Sequence, residues 1–255
     1  MGLLDSKAIL ITGASRGIGA AAARLFAAEG ARLVLGARSP EPLEALAGEL
    51  REAGADVVEV AADVRTREGA ERLVAAALER YGRLDGAFDN AAAGHPPPGT
   101  LTEFDEAFWD DVQATNLRGV WLCLRAQIPA MAASGGGAIV VNGSVGGLVG
   151  GFGDAAYQAS KHGLTGLVRA ATAEFAAQGV RVNVIAPNIT RTESVAEFLD
   201  QEPEIEAGMV RQTPLGRLAT PQDAAEAAAW LLSDRSAYVA GVVLALDGGL
   251  TAVRA

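Results

Sequence analysis

The feature that most constrains the fold of this chain is a regular alternation of short apolar runs with longer, alanine-rich amphipathic segments. Seven runs have the length of strands, and most of them are rich in Val, Ile and Leu. They are "AILIT" (8–12), "RLVLG" (32–36), "DVVEVA" (56–61), "LDGAF" (84–88), "AIVVN" (138–142), "VRVNVIA" (180–186) and "VVLAL" (242–246). Several of the intervening segments stop at a glycine, the usual C-terminal cap of a helix: Gly30, Gly54, Gly82 and Gly179.

Strands that alternate with helices predict a parallel sheet with helices on both faces. Largely unbroken apolar runs agree, because the strands of such a sheet are buried on both sides. The 255 residues contain no linker-like composition and no internal repeat. The sequence therefore predicts one α/β domain over residues 1–255, a Rossmann-type doubly wound parallel sheet of about seven strands.

Composition excludes several classes of function. The formal net charge is -10 and no block of basic residues occurs, which argues against nucleic acid and anionic membranes as partners. One cysteine and two histidines provide neither a disulfide nor the clustered ligands of a metal site, and Cys123 is expected to pack in the core. No basic-then-apolar segment opens the chain, so we expect a cytoplasmic protein.

A glycine-rich turn follows the first predicted strand, in "TGASRGIGAAAARLF". Gly13, Gly17 and Gly19 stand where the strand passes into a helix, and without Cβ atoms the backbone can approach a pyrophosphate at the helix N-terminus. The Gly-Lys-Ser/Thr of an ATP-type phosphate loop is missing. The turn therefore predicts a dinucleotide site.

The residues after the second strand indicate which dinucleotide binds. A free ribose 2′-hydroxyl is usually held by an acidic residue here, whereas a 2′-phosphate needs positive charge. The position is Ala37, followed by Arg38, and Arg16 lies in the glycine turn. Two guanidinium groups and no carboxylate favour NADP(H). After the third strand, Asp63 would either accept from the adenine amino group or cap the next helix.

A tyrosine and a lysine four residues apart predict the chemistry. Tyr157 and Lys161 fall on one face of a long predicted helix, and Lys161 is one of only two lysines in the chain. The pKa of tyrosine is normally about 10, and an ammonium within about 5 Å would lower it. Ser144 follows the fifth strand and would hold a substrate oxygen beside the phenol. Together these residues predict a proton-transfer site.

The chain resembles the classical short-chain dehydrogenases/reductases over nearly its full length. The matching motifs keep the order and spacing of that family. They are "TGASRGIG", "DV" at 63–64, "NA" at 90–91, Asn116 in "ATNLRGVW", Ser144, Tyr157-x-x-x-Lys161, "RVNVIAP" at 181–187, Thr192 and "DGG" at 247–249.

The resemblance implies a Ser-Tyr-Lys-Asn catalytic set and a homotetramer or dimer. Tyr157 would be the general acid in reduction, Ser144 would polarise the carbonyl, Lys161 would bind the ribose and lower the pKa of the tyrosine, and Asn116 would hold a water of the proton relay. It also implies further cofactor contacts from Ser15, Ile18, Val64, Asn90, Ala91, Pro187, Asn188, Ile189 and Thr192.

The sequence departs from the family pattern at three places. Asp89-Asn90-Ala91-Ala92 replaces Asn-Asn-Ala-Gly, Asn188 replaces a glycine after Pro187, and Gly143 replaces a serine before Ser144. None of these changes removes a catalytic group. The Asn188 side chain would reach either the nicotinamide or the substrate.

Two segments are expected to wall the substrate pocket, because both leave the carboxyl ends of strands. One contains His95 in "NAAAGHPPPG", which either contacts the substrate or lies exposed in its loop; the other is a lid segment at about 188–219. Val145 and Gly151 are further candidate substrate contacts.

The sequence thus predicts an NADPH-dependent ketoreductase acting on a small carbonyl or secondary alcohol. The alternatives are a 3-oxoacyl-carrier-protein reductase, an NAD-linked alcohol dehydrogenase and a non-catalytic dinucleotide-binding sensor. A carrier protein is acidic, and residues 130–138 and 173–179, where the fatty-acid reductases of the family carry basic residues, have no lysine or arginine.

Overall fold

The computed structural model describes residues 2–93 and 100–253. All seven apolar runs form strands of one sheet, and every strand pair is parallel. The strands are β1 (Ala8–Thr12), β2 (Arg32–Ala37), β3 (Val57–Ala61), β4 (Gly86–Asp89), β5 (Gly137–Asn142), β6 (Val180–Pro187) and β7 (Val243–Leu246). The predicted doubly wound Rossmann-type sheet is therefore confirmed.

The strand order is β3-β2-β1-β4-β5-β6-β7. The chain proceeds outward from β1 in one direction and then from β4 in the other. The order therefore reverses between β1 and β4, and a crevice opens there at the carboxyl ends of the strands, where such sheets bind ligands.

Nine α-helices cover the sheet in the described part of the chain. They are α1 (Gly17–Ala28), α2 (Pro40–Glu52), α3 (Arg67–Tyr81), α4 (Glu106–Gln113), α5 (Gly119–Ala133), α6 (Ala155–Phe175), α7 (Glu193–Gln201), α8 (Pro203–Gln212) and α9 (Pro221–Leu232). The four predicted glycine caps follow helical segments with positive φ, between 72° and 89°. None of the helices in residues 2–93 and 100–253 combines the length and apolar character needed to cross a bilayer.

The core has two layers because alternate strand residues point to opposite faces of the sheet. On one face Ile9, Ile11 and Leu33 pack with α1, α2 and α9. On the other face Leu10 and Val34 pack with α3, α5 and α6. The strand ends above the crevice are thus held between two buried layers.

Candidate active site

Each glycine of the turn after β1 stands where a side chain would not fit. A Cβ on Gly13 would lie 2.8 Å from the Cα of Ala91, and one on Gly19 would lie 2.1 Å from the Gly13 carbonyl oxygen. Gly13 and Gly17 also have positive φ. Helix α1 begins at Gly17, and its N-cap residue Arg16 makes no side-chain cap. The N-terminus of the helix therefore opens toward the crevice.

A cleft of about 500 Å³ lies in this crevice and has the size of a nucleotide site. Most of the predicted cofactor residues line it: Gly13, Ser15, Arg16, Gly17, Ile18, Arg38, Asp63, Val64, Asn90, Ala91 and Thr192. Six others do not: Gly19 is buried in the turn, Tyr157 and Lys161 lie on α6, and Pro187, Asn188 and Ile189 lie at and beyond the end of β6. Cleft residues that the sequence did not indicate include Pro42, Thr115 and Glu193.

The charge in the cleft fits a dianionic group at the end of β2. Arg16 and Arg38 are both exposed and line the cleft, and neither forms an ion pair with any residue in the described ranges. Ala37 is buried and brings no carboxylate. A dinucleotide with a 2′-phosphate therefore meets two available guanidinium groups.

Asp63 is paired with an arginine and does not cap the helix that follows it, while its expected contact with adenine stays a prediction. Its carboxylate accepts from Arg65, with Nη2 to Oδ2 at 2.7 Å and Nε to Oδ2 at 2.9 Å, and this hydrogen bonding lowers its pKa. Thr66, not Asp63, caps α3, since its side chain accepts from Gly69 N. The helix-cap alternative is thus wrong, while the carboxylate keeps acceptor capacity toward the cleft.

Glu193 makes a contact that no motif indicated. Its Oε2 accepts from the backbone N–H of Gly17 at 3.0 Å, although the two residues are 176 positions apart. The N–H is at the first turn of α1, where the helix dipole favours an anion. A protein carboxylate therefore occupies a position suited to a cofactor phosphate oxygen.

Ser144, Tyr157 and Lys161 come together at the carboxyl end of β5. Ser144 follows the strand and is hydrogen-bonded to Tyr157, which lies in the first turn of α6. Lys161 is 4% exposed, and its Nζ lies 5.5 Å from the centre of the Tyr157 ring. The three side chains that the sequence predicted thus form one cluster.

The protonation of this pair differs from the sequence expectation. Burial raises the pKa of Tyr157; the hydrogen bond from Ser144 opposes this, and the charge of Asp154 adds to it. Burial also lowers the pKa of Lys161 to about 8. Lys161 is not among the groups that shift the pKa of Tyr157, and its ammonium donates to the Asn142 carbonyl at 2.8 Å; the expected lowering of the tyrosine pKa by Lys161 stays a prediction. Tyr157 is a protonated phenol near neutral pH.

Asn116 lies in a π-helical segment, Ala114–Arg118, between α4 and α5. It is 1% exposed, and its Oδ1 accepts from Ala93 N at 2.7 Å. Its Nδ2 is buried without a hydrogen-bond partner among residues 2–93 and 100–253. A buried donor without a protein partner is suited to an ordered water.

Two side-chain amides connect Lys161 to the glycine turn. Lys161 donates to the Asn142 carbonyl, and Asn142 Nδ2 donates to Asn90 Oδ1 at 2.9 Å. Asn90 Nδ2 in turn donates to the carbonyls of Thr12 and Gly13, each at 3.1 Å. Sequence reasoning missed the role of Asn142; the signal that could have found it is a polar residue at the end of an apolar strand.

Two of the departures from the family pattern, Asp89 and Asn188, are buried side chains that make hydrogen bonds. Asp89 is buried against α5, where it accepts from Gln127 at 2.8 Å and from the thiol of Cys123, and burial raises its pKa to about 7. Cys123 is buried, as expected. Asn188 is buried, and its amide donates to Thr213 Oγ1 at 3.5 Å, so its side chain points toward the end of α8.

The candidate substrate contacts remain predictions. Val145 is buried in the turn after Ser144, whereas Gly151 is exposed. His95 lies outside the described residues.

Comparisons with known proteins agree with this geometry. A sequence-family model described as "Enoyl-(Acyl carrier protein) reductase" matches residues 13–251. The chain is 49% identical over 253 residues to "A-factor type gamma-butyrolactone 1'-reductase (1S-forming)" of Streptomyces virginiae, covering 98% of this chain and 97% of that protein.

Two further relatives cover nearly the whole chain. "Cis-4-hydroxycyclohexanecarboxylate dehydrogenase" of Sinomonas cyclohexanicum is 40% identical, covering 97% of each protein. The crystal structure of levodione reductase superposes with a TM-score of 0.91 at 36% identity, covering 98% of this chain and 99% of that one.

Proposed function

The chain belongs to the classical short-chain dehydrogenase/reductase family and is an oxidoreductase of CH–OH and C=O groups; from this premise we propose that it is an NADPH-dependent ketoreductase. The observation that carries the proposal is the position of the Ser144–Tyr157–Lys161 cluster, joined by the Asn142–Asn90 amides to a nucleotide-sized cleft. A non-catalytic sensor has no use for this cluster.

NADPH, when bound, supplies a hydride to the carbonyl carbon. Tyr157 donates its phenolic proton to the carbonyl oxygen, and Ser144 donates a hydrogen bond that polarises the same carbonyl. Lys161 is anchored on Asn142 and keeps two further N–H donors for ribose hydroxyls. Asn116 Nδ2 would hold the water that returns a proton to the site.

The preference for NADPH rests on Arg16 and Arg38, which line the cleft, and on the absence of a carboxylate at Ala37. The test measures kcat/KM for a panel of ketones with NADPH and with NADH. We expect NADPH to win by at least about tenfold, the value of one charge-assisted phosphate contact. Equal or better rates with NADH would overturn this part of the proposal.

The substrate we propose is a free ketone, not bound to a carrier protein, whose carbonyl is attached to or lies within a ring. Two of the relatives are named for a γ-butyrolactone and a hydroxycyclohexanecarboxylate, and a similar structure is titled levodione reductase. An acyl-substituted γ-butyrolactone and a cyclohexanone are therefore the first compounds to assay.

A carrier-bound acyl chain is the second candidate, because the matching family model is named for an acyl-carrier-protein substrate. Against it, residues 130–138 and 173–179 have no basic side chain. Residues 193–206 also carry six acidic side chains, which would repel an acidic carrier protein, although two of them, Asp200 and Glu206, are paired with Arg191.

The dependence of kcat/KM on ionic strength distinguishes the two candidate substrates. The assay compares kcat/KM for a carrier-bound 3-oxoacyl chain with that for the free ketones at low and high ionic strength. We expect the free ketones to win at both. A carrier substrate that wins by tenfold at low salt, with an advantage that fades as salt rises, would favour the second candidate.

A further inference from the structure

The pairing between β4 and β5 ends just before Asn142. Val141 is the last residue of β5 in register with β4, where it lies opposite Asp89. Asn142 and Asn90 come next on the two strands, and their side chains are bonded: Asn142 Nδ2 donates to Asn90 Oδ1 at 2.9 Å. A side-chain hydrogen bond therefore continues the connection between the two strands for one more residue.

The orientation of the Asn142 amide is determined by Asn90. Asn90 Nδ2 donates to the carbonyls of Thr12 and Gly13, each at 3.1 Å. The atom that Asn90 presents to Asn142 is therefore the acceptor Oδ1, and only Nδ2 of Asn142 can donate to it. The Oδ1 atom of Asn142 is left buried and without a hydrogen-bond partner among residues 2–93 and 100–253.

Packing does not explain an amide at position 142. The four preceding residues of β5, Ala138–Val141, are apolar and buried. A buried amide oxygen without a partner costs free energy that an apolar side chain of similar size would not cost. This cost indicates a role for the other atom of the amide, the donor Nδ2.

The backbone of the same residue holds Lys161. The Asn142 carbonyl accepts from Lys161 Nζ at 2.8 Å, and Lys161 is 4% exposed. No carboxylate in the described ranges pairs with this ammonium. Burial lowers the pKa of Lys161 to about 8, and the hydrogen bond to the carbonyl favours its charged form.

Other charged groups do not compete with this carbonyl for Lys161. On α6 itself, Asp154 Oδ1 accepts from Tyr157 N at 2.9 Å, and His162 Nδ1 is hydrogen-bonded to the Gln158 carbonyl. The charged groups of the other elements that pack on α6 are exposed or bonded elsewhere: Glu106, Asp110, Asp111, Arg118, Arg125 and Arg181. The position of the ammonium therefore depends on the Asn142 carbonyl.

We propose that Asn142 is a positioning residue: its side-chain bond to Asn90 fixes the backbone carbonyl that holds Lys161. The inference rests on the proposed function, in which Lys161 binds the cofactor ribose beside Tyr157. A leucine at position 142 has about the same size but no donor, so the end of β5 is no longer tied to β4. The carbonyl then loses its defined position, and small displacements of a group that orients the reactants are costly to the rate.

The main test uses the fact that the chain contains only two lysines, Lys7 and Lys161. Labelling with ¹³C-lysine gives two Cε signals, which Lys7→Arg assigns, and each signal is titrated with pH in the protein without cofactor. In Asn142→Leu we expect the Lys161 midpoint to fall by at least about half a pH unit, about threefold in the ratio of the two forms. The reason is that the charged form has lost a well-placed acceptor. The Lys7 midpoint should not change.

Steady-state kinetics give a second readout. In the proposed mechanism Lys161 holds the ribose and does not contact the ketone. Asn142→Leu should therefore lower kcat for an acyl-substituted γ-butyrolactone or cyclohexanone about tenfold, and change KM for the ketone by less than about twofold. The rates are measured below the unfolding transition of each variant, so that a loss of folded protein does not contribute.

Thr172→Val is the matched control. Thr172 lies on α6, the helix that carries Lys161, and its Oγ1 donates to the Val182 carbonyl of β6 at 3.3 Å. The substitution removes a hydrogen bond between this helix and the sheet with little change in size. It should leave the Lys161 midpoint and kcat unchanged. If Asn142→Leu does not fold, Asn142→Ser replaces it, since a serine side chain is too short to reach Asn90.

The outcomes separate this inference from the proposed function. An unchanged Lys161 midpoint in the Asn142 variant would overturn the positioning role and leave the reductase intact. An equal shift in Thr172→Val would also overturn it, because the effect would then come from a general loosening of α6. Absence of turnover by the wild-type protein with every ketone and both cofactors would overturn the proposed function, while the lysine titration would still decide whether Asn142 holds Lys161.

Discussion

The floor of the site and the segment that faces it are built in opposite ways. The floor consists of the ends of β1, β4 and β5, where the half-buried amides of Asn90 and Asn142 and the Thr12 carbonyl are bonded to one another. In the 188–219 segment, α7 buries only Leu199 and α8 buries none of its residues. The difference teaches that groups needing an exact distance from the reacting atoms are fixed by the sheet, while groups that meet variable ligands stay near solvent.

The comparison predicts that substitutions in the floor cause the largest losses. Tyr157→Phe removes the proton donor and keeps the ring that packs on Gly153. We expect kcat to fall by at least about 100-fold, the lower bound of general acid catalysis, with NADPH affinity unchanged. Stopped-flow turnover and a fluorescence titration of NADPH check the two halves. A Tyr157→Phe variant that keeps most of its kcat would contradict the prediction that substitutions in the floor cause the largest losses.

The rim of the cleft at the end of β2 should give the next largest effect. Ala37→Asp with Arg38→Leu adds a carboxylate for a 2′-hydroxyl and removes a phosphate contact. We expect the ratio of kcat/KM for NADPH over NADH to fall by about 10- to 100-fold, corresponding to about 1.5–3 kcal/mol. Arg235→Leu, on the surface beyond α9, is the control and should leave the ratio unchanged.

The Glu193–Gly17 contact joins the 188–219 segment to the glycine turn, and a substitution there should have a smaller effect that strengthens cofactor binding. Glu193→Gln keeps an acceptor for Gly17 N–H and removes a negative charge from the place of a cofactor phosphate. We expect the Kd for NADPH to fall about fivefold, the effect of one charge in a solvated site. Calorimetry at two salt concentrations checks this, with Glu197→Gln as the control. Weaker binding by Glu193→Gln would mean that the carboxylate assists the cofactor.

Changes confined to the segment should have the smallest effect. Arg191 joins α7 to α8 by pairing with Asp200 and Glu206, and all three side chains reach solvent. We expect Arg191→Gln to change Tm by less than about 2 °C, because exposed ion pairs contribute little, and to change KM more than kcat. Differential scanning calorimetry and steady-state kinetics measure the two quantities. A large decrease in Tm would show that the segment contributes to the stability of the protein as much as the floor does.

The sequence predicted the seven strands, the glycine turn and the Ser144–Tyr157–Lys161 cluster because these depend on local patterns of apolar residues and on fixed spacing. It could not predict the Glu193–Gly17 contact, which joins residues far apart in the chain. The direction of the Tyr157 pKa shift was also missed, because it depends first on how deeply the folded chain buries the phenol. The pairing of Asp63 with Arg65, two residues later, was missed for another reason, since the sequence does not show which rotamer a flexible arginine adopts.

The 188–219 segment begins and ends at the same place in the molecule. Thr190 and Ala219 form a parallel bridge, and Ala219 N donates to the Ile189 carbonyl at 3.2 Å. Residues between these ends can therefore be lengthened, shortened or replaced without displacing β6 or α9, and the entropy of closing a longer loop rises slowly with its length. We therefore expect a library confined to residues 195–212, which spares the cleft-lining Thr192, Glu193 and Ser194, to change the substrates accepted without displacing Tyr157 and Lys161.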